Sequence, residues 1–226
     1  MNDLVVRLAN VNGTGSASAN GLLMKAIFRM GVPVVGKNFF PSNIQGLPTW
    51  YEIRVSRDGH RARRNGVDVM VAMNAQTYVE DLAAVVPGGV LIYDSTWPRS
   101  GELRRDDVQV MGIPLSAMCN EAFDGVRARI LMKNVAYVGA LAALLDLDLE
   151  VIRQLLDETF AAKPALVEAN LQAIRMGHDY ATSHFDCPLP VRVEPADETA
   201  GHVMIDGNTA AALGCLYAGA TVGAWY

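Results

Sequence analysis

The chain opens on a stretch, Asp3 to Val11, that is apolar and rich in β-branched residues except at Asp3, Arg7 and Asn10. Such a run reads as a strand. It leads into Asn12-Gly13-Thr14-Gly15, after which Leu22, Leu23, Ala26, Ile27 and Met30 recur at helical spacing and Gly31 supplies a stop. Strand, tight glycine turn and helix follow from that pattern. Further strands are predicted over Val32–Val35, over Tyr51–Ser56 before the Arg57-Asp58-Gly59 turn, over Val67–Met73, over Val90–Tyr93 after Pro87-Gly88-Gly89, and over Val108–Ile113. A long loop rich in Asn, Pro and Gly separates the second and third strands, and Ala75–Val85 has a helical pattern. Strands alternating with helices at this spacing predict an α/β fold: a five- or six-stranded, mostly parallel sheet within about residues 3 to 115, with helices on both faces.

From Leu131 the period becomes helical. Lys133–Leu145, Leu149–Ala161 and Pro164–Met176 are predicted helices forming a C-terminal cap at one side of the sheet. Asp148 has the place of an N-cap with Glu150 in the first turn, so the acidic group Asp146, Asp148 and Glu150 reads as a helix start. Pro188–Thr199, with three prolines, reads as an extended linker. Beyond it, Thr209–Tyr217 looks like a small-residue helix and Ala220–Tyr226 like a strand, two elements that cannot bury a face by themselves.

Composition narrows the function classes. With 226 residues, 51% of them hydrophobic, the chain can build one large core, or one domain and part of another. A net charge of −5 gives no sign of a polyanionic partner, and the basic run Arg61–Arg64 is a short loop, so no nucleic acid is expected. There is no charged-then-apolar leader and no apolar run approaching the roughly 20 residues of a membrane span, which predicts no membrane association and a cytoplasmic location. Cys119, Cys187 and Cys215 are far apart and form no C-x-x-C pair, so local ligands for zinc or an iron–sulfur cluster are not expected. His60, His178, His184 and His202 fall in or beside turns and linkers and read as structural or solvent-facing.

The glycine turn carries the chemistry. Gly13-x-Gly15 between a strand and a helix is where phosphates sit in such folds, because free amides and the helix dipole converge there. The dinucleotide fingerprint fails at two points: Ser18 stands where the third glycine belongs, and Gly36-Lys37-Asn38 stands where an acid would hold a ribose hydroxyl. A lysine at that place suits a phosphate instead.

Three stretches together resemble the gamma domain of 2-oxoacid:ferredoxin oxidoreductases. They are Asn12-Gly13-Thr14-Gly15-Ser16-Ala17, the segment from Gly36-Lys37-Asn38 through Pro48-Thr49-Trp50-Tyr51-Glu52-Ile53-Arg54-Val55, and Lys133-Asn134. Phe40 to Pro48 is especially similar to large subunits acting on 2-oxoglutarate, although Gly-Gly-Gln-Gly and Arg-Gly-Gly sequences common among relatives are missing. The resemblance implies a Rossmann-like gamma domain over 1–190, a linker over 191–206, and at 207–226 the truncated start of an alpha domain that binds thiamine diphosphate. It implies oxidative decarboxylation of a 2-oxoacid to acyl-CoA with electrons passing to ferredoxin. Coenzyme A would bind this domain, with Gly13, Thr14, Gly15, Ser16, Lys37 and Asn134 near it. Thiamine diphosphate, magnesium and 4Fe-4S iron–sulfur clusters are implied for the full complex and not for this chain. The implied partners are the alpha portion, a beta subunit, ferredoxin through the complex, and a second copy as a homodimer; no catalytic residue is implied here, and the isolated chain is expected to be inactive. Two other readings stay open: an assembly module of the same fold without coenzyme A, and an NAD-type dinucleotide-binding domain.

Overall fold

The computed structural model describes residues 1–40, 46–97, 101 and 103–224. Residues 41–45, the middle of the stretch most similar to 2-oxoglutarate enzymes, and Trp225-Tyr226 lie outside the described residues.

Six strands form one sheet: β1 (Asp3–Val11), β2 (Val34–Phe39), β3 (Pro48–Ser56), β4 (Val67–Ala72), β5 (Val85–Asp94) and β6 (Gln109–Ile113), in the spatial order β2-β3-β1-β4-β5-β6. The pairings β1/β4, β4/β5 and β5/β6 are parallel, and β1/β3 and β2/β3 are antiparallel. Only β3 therefore runs against the others, and the carboxyl ends of the remaining strands share one edge. The mostly parallel sheet and the glycine turn at its carboxyl edge agree with the sequence pattern.

The helical layers are unequal. Leu4, Val6 and Leu8 of β1 point into a large core with α1 (Ser16–Arg29), α3 (Leu115–Ala122), α4 (Val126–Leu145), α5 (Leu149–Thr159) and α6 (Pro164–His184). Val5 and Ala9 point the other way, into a smaller cluster covered by α2 (Tyr78–Ala84), which a 3-10 turn over Ala75–Thr77 precedes. Both faces of β1 are thus dry, which is why its sequence does not alternate.

The five-helix side is organised by α4. Its segment from Val135 to Leu145 is buried throughout, and it has the length and hydropathy of a membrane span; 72% of its most apolar stretch is buried inside the protein, as in a core helix. This corrects the sequence reading that no apolar run reaches that length. Helix α6 crosses α4 at two glycines. A Cβ on Gly139 would lie 2.0 Å from the Ile174 carbonyl oxygen, and one on Gly177 would lie 1.8 Å from that of Ala136. Gly177 therefore sits inside α6 as a point of helix contact, and the helix runs on to His184 where the pattern predicts an end at Met176.

Other differences have local causes. Helix α4 starts at Val126, two turns before the predicted Lys133, because Arg127, Ala128 and Arg129 are good helix formers while its first turn carries no apolar periodicity. The short α3 shows only Leu115, Ser116 and Cys119 to the core, too few residues for a period to register. Asp148 caps α5 as its spacing predicts, its carboxylate accepting from the Glu150 amide at 2.8 Å. The run Arg61–Arg64 is partly pinned: Arg63 pairs with Glu52 and Arg64 with Asp68.

The proline-rich segment after α6 is extended and sewn to the core. The amides of Leu189 and Val193 donate to the carbonyls of Leu144 and Leu145, the Ala196 and Glu198 amides to those of Met30 and Gly31, and the side chain of Asn2 joins Glu194. Beyond it, α7 (Gly207–Tyr217) is capped by Asp206 and buries none of its residues; no strand forms over residues 220–224.

Candidate functional site at the carboxyl edge of the sheet

The turn after β1 is held open by left-handed glycines. Gly13 has φ +90° and Gly15, at the N-terminus of α1, φ +79°; in addition a Cβ on Gly15 would lie 2.2 Å from Leu131 Cδ2 of α4. Only glycine permits both the backbone turn and this close approach. The Thr14 hydroxyl donates back to the Val11 carbonyl at 2.8 Å, and Asn134, 1% exposed, donates its amide to the Thr14 carbonyl at 2.9 Å. Asn134 thus fixes the loop to α4. No side chain caps α1, so its first amides face outward at the positive end of the helix dipole.

Beside the loop lies a cavity of about 270 Å³ between α1 and the sheet. Leu8, Asn10 and Asn12 line it from β1 and the start of the loop, Ser16, Ala17 and Asn20 from α1, Asn38 and Phe40 from the end of β2, and Thr49 and Tyr51 from β3. No charged side chain contributes. Asn20 accepts from the fully buried Tyr137 hydroxyl at 2.7 Å. Asn10 is 3% exposed, and its amide nitrogen lies beside Tyr137 without the geometry of a hydrogen bond. Burial pushes the Tyr137 pKa far up, with Asn10 acting in the opposite sense. Burial likewise raises Tyr51, whose hydroxyl donates to Met24 Sδ at 3.3 Å.

The opposite face of the same strands is charged. Glu52 accepts from Arg7 Nη2 at 2.6 Å and from Arg63 Nε at 2.8 Å. Burial alone would raise its pKa; the hydrogen bonds from Arg63 and Arg7, and their charges, outweigh it and hold the carboxyl below its usual range. Nearby, Asp81 accepts from Trp50 Nε1 at 2.8 Å and from Thr77 Oγ1 at 2.7 Å, and burial raises its pKa.

Lys37 belongs to this charged face. It is in register with Glu52, and its ammonium lies 5.4 Å from the centre of the Phe39 ring, which Arg63 also covers. Of the residues singled out in the sequence, the structure brings Gly13, Thr14, Gly15, Ser16 and Asn134 together and leaves Lys37 on the other side of the sheet. Strand alternation is the reason: Asn38, its neighbour, is the β2 residue that turns into the cavity.

The sequence reading missed the cavity's asparagines. Their signal was available, since Leu8, Asn10 and Asn12 follow the two-residue period of a strand face and Ser16 and Asn20 the four-residue spacing of a helix face. It also missed a second polar group further along the edge. Asp94, at the end of β5, accepts from the Thr96 hydroxyl at 2.7 Å and from the amide and hydroxyl of Ser116, with Lys133 Nζ 3.9 Å away. Burial pushes the adjacent Cys119 thiol up to about 11. Among the described residues no three His, Cys, Asp or Glu gather as metal ligands.

The sequence matches the family described as Pyruvate ferredoxin/flavodoxin oxidoreductase over residues 5–180. It is 24% identical to 2-oxoacid:ferredoxin oxidoreductase 2, subunit alpha, of Aeropyrum pernix, over 100% of this chain and 41% of that protein. The fold superposes on 2-oxoglutarate:ferredoxin oxidoreductase from Magnetococcus marinus, a structure with 2-oxoglutarate, coenzyme A and succinyl-CoA bound, with TM-score 0.82 and 26% identity over 97% of this chain and 38% of that one. It also matches the gamma subunit of a keto/oxoacid ferredoxin oxidoreductase from Geobacter sulfurreducens, with TM-score 0.65 and 20% identity over 80% of this chain and 99% of that subunit, a likeness of fold. The chain spans about two fifths of the length of the first two. A match over most of its core strands and helices places this chain in the pyruvate ferredoxin/flavodoxin oxidoreductase family.

Proposed function

We propose that the chain is the gamma-type component of a 2-oxoacid:ferredoxin oxidoreductase and holds coenzyme A at the carboxyl edge of its sheet. The observation that carries this reading is the open glycine loop at the N-terminus of α1, where the backbone amides of Gly15 and Ser16 start the helix beside a phosphate, Gly13 and Thr14 shape the turn, the Thr14 amide donating back to the Val11 carbonyl, and Asn134 fixes the loop by binding Thr14 O. The likeness to the Magnetococcus marinus enzyme supports coenzyme A as the ligand and 2-oxoglutarate as the 2-oxoacid. Lys37 stays outside this constellation, since it lies on the other face of the sheet.

The reaction is oxidative decarboxylation of the 2-oxoacid to an acyl-CoA in the cytoplasm, with electrons passing to ferredoxin. Thiamine diphosphate with magnesium, and 4Fe-4S clusters, supply the bond breaking and electron transfer in the alpha portion and beta subunit. This chain supplies binding and orientation: it fixes the phosphates of coenzyme A and leaves the thiol arm to extend toward the partner. Residues 1–190 form the gamma-type domain and 207–226 open the alpha portion. The unburied α7 suits a role in packing against that portion or against a second copy in a homodimer.

Calorimetric titration of the 226-residue chain with coenzyme A tests this reading. Saturable binding supports it; no binding, with association to the alpha and beta portions retained, would favour a purely assembling module. NAD should leave the melting temperature unchanged. The chain alone should not reduce a viologen dye with a 2-oxoacid and coenzyme A.

A further inference from the structure

We infer that Tyr137, fully buried in α4, is a positioning residue of the loop site: its hydroxyl fixes the amide of Asn20 so that Asn20 presents a donor, and not an acceptor, to the cavity. The inference rests on the coenzyme A reading above and adds a residue that acts from behind the site.

The hydroxyl is out of keeping with its surroundings. From Val135 to Leu145 α4 is buried, and Tyr137 carries the only polar side-chain group in that stretch. Phenylalanine would fill the same space without the cost of drying a hydroxyl. The hydroxyl makes one strong contact, the 2.7 Å hydrogen bond it donates across to Asn20 Oδ1. Asn20 is itself a costly choice, 3% exposed within α1. Two apolar residues of the same shapes would serve stability as well, because a buried hydrogen bond contributes little net and exchanging both partners is close to neutral. Stability leaves the pair unexplained.

What the pair does is set direction. A side-chain amide can turn either its oxygen or its nitrogen toward a ligand. Burial raises the Tyr137 pKa far above its ordinary value, so the phenol keeps its proton, and the Asn10 amide nitrogen set against it leaves that proton to Asn20. With its oxygen occupied, Asn20 has its Nδ2 left, and among the described residues no acceptor takes it. Asn20 lines the cavity, so that donor is offered to an acceptor atom of the ligand. The same helix holds the loop: Leu131 meets Gly15, and Asn134 binds Thr14 O. Residues 131, 134 and 137 follow the spacing of one helix face, so a single rigid element sets both the loop and the polarity of the wall beside it.

Coenzyme A titration of the full 226-residue chain, as parent, Tyr137→Phe, Asn20→Ala and the double variant, tests this. Tyr137→Phe and Asn20→Ala should each weaken binding about five- to tenfold, with the protein corrected for its folded fraction. The double variant should bind within about twofold of Asn20→Ala, because a residue that acts through Asn20 then has nothing to act on. A tyrosine that only supports the fold would weaken both backgrounds alike. Losses that multiply, or a Tyr137→Phe variant that binds like the parent, would overturn the inference while binding by the parent still supported the proposed function. A parent that binds no coenzyme A would overturn both. If Tyr137→Phe does not fold, the side-chain amide signal of Asn20 in the nitrogen-labelled parent decides by magnetic resonance: it should shift as coenzyme A saturates the chain, and an unmoved signal would overturn the inference.

Discussion

The two faces of the β2-β3-β1 section carry opposite chemistries on the same three strands. Facing α1 are neutral amides, an aromatic floor and an open cavity; on the other face Glu52 of β3 accepts from Arg7 of β1 and from Arg63 of the loop after β3, while Trp50 of β3 donates to Asp81 of α2. The charged face spends its hydrogen-bonding capacity internally. The neutral face leaves the Asn10 amide nitrogen without a hydrogen bond and the N-terminus of α1 without a side-chain cap. The difference separates a structural network from a binding surface, and it shows that a lysine near a phosphate loop in sequence can be a strand's thickness away in space.

The strongest way to break the comparison is to remove the centre of the charged face. Glu52→Ala leaves Arg7, which is 19% exposed, without its carboxylate, and should cost about 3 kcal/mol in urea unfolding, at the low end for a broken buried pair because Arg63 is half exposed. Coenzyme A affinity, corrected for the folded fraction, should not change. A loss of binding larger than the loss of folded protein would join the two faces into one site.

Titration sharpens the same point. The Glu52 pKa is lowered in the folded protein, so its contribution is complete above its ordinary value of 4.5 and is lost as the pH falls below that value through the folded pKa. Asp81 has the opposite sign: its raised pKa lets the folded state take up a proton first, so acid lowers the cost of its buried charge. Unfolding measured from pH 6 down to pH 3 should show a stability slope that Glu52→Gln flattens and Asp81→Asn steepens.

On the neutral face, Tyr137→Phe removes the donor to Asn20 and leaves a buried acceptor, at a cost of about 1–3 kcal/mol by chemical denaturation. The smallest effect belongs to Lys37→Ala. An exposed side chain resting on Phe39 should change stability by no more than about 0.5 kcal/mol.

Much of the fold was legible because β1, β4 and β5 are apolar on both faces and α1 and α5 keep a clean helical period with a glycine or Asp148 at an end. The α4/α6 crossing was not, since Gly139 and Gly177 act through what they omit: a sequence pattern records no side chain where two backbones meet. The loop half of the site was legible from glycines that must adopt positive φ. The cavity half was legible only in part: the spacing of Leu8, Asn10 and Asn12 marks one strand face, but asparagine in a strand normally signals a turn, and only pairing of β1 and β2 with β3 and packing of α1 bring Asn10, Asn20 and Asn38 together.

The central claim, that ligand binding belongs to the neutral face and its glycine loop, is tested most directly by coenzyme A calorimetry on Ala17→Glu beside Lys37→Ala. Ala17 is exposed in the first turn of α1, where an acidic side chain favours the helix by about 0.3–1 kcal/mol, so the variant should fold at least as well as the parent. The account predicts that it nonetheless binds coenzyme A at least about tenfold more weakly, because its carboxylate meets the phosphate, while Lys37→Ala binds within about twofold of the parent. Unweakened binding by Ala17→Glu, with a tenfold loss in Lys37→Ala, would contradict it.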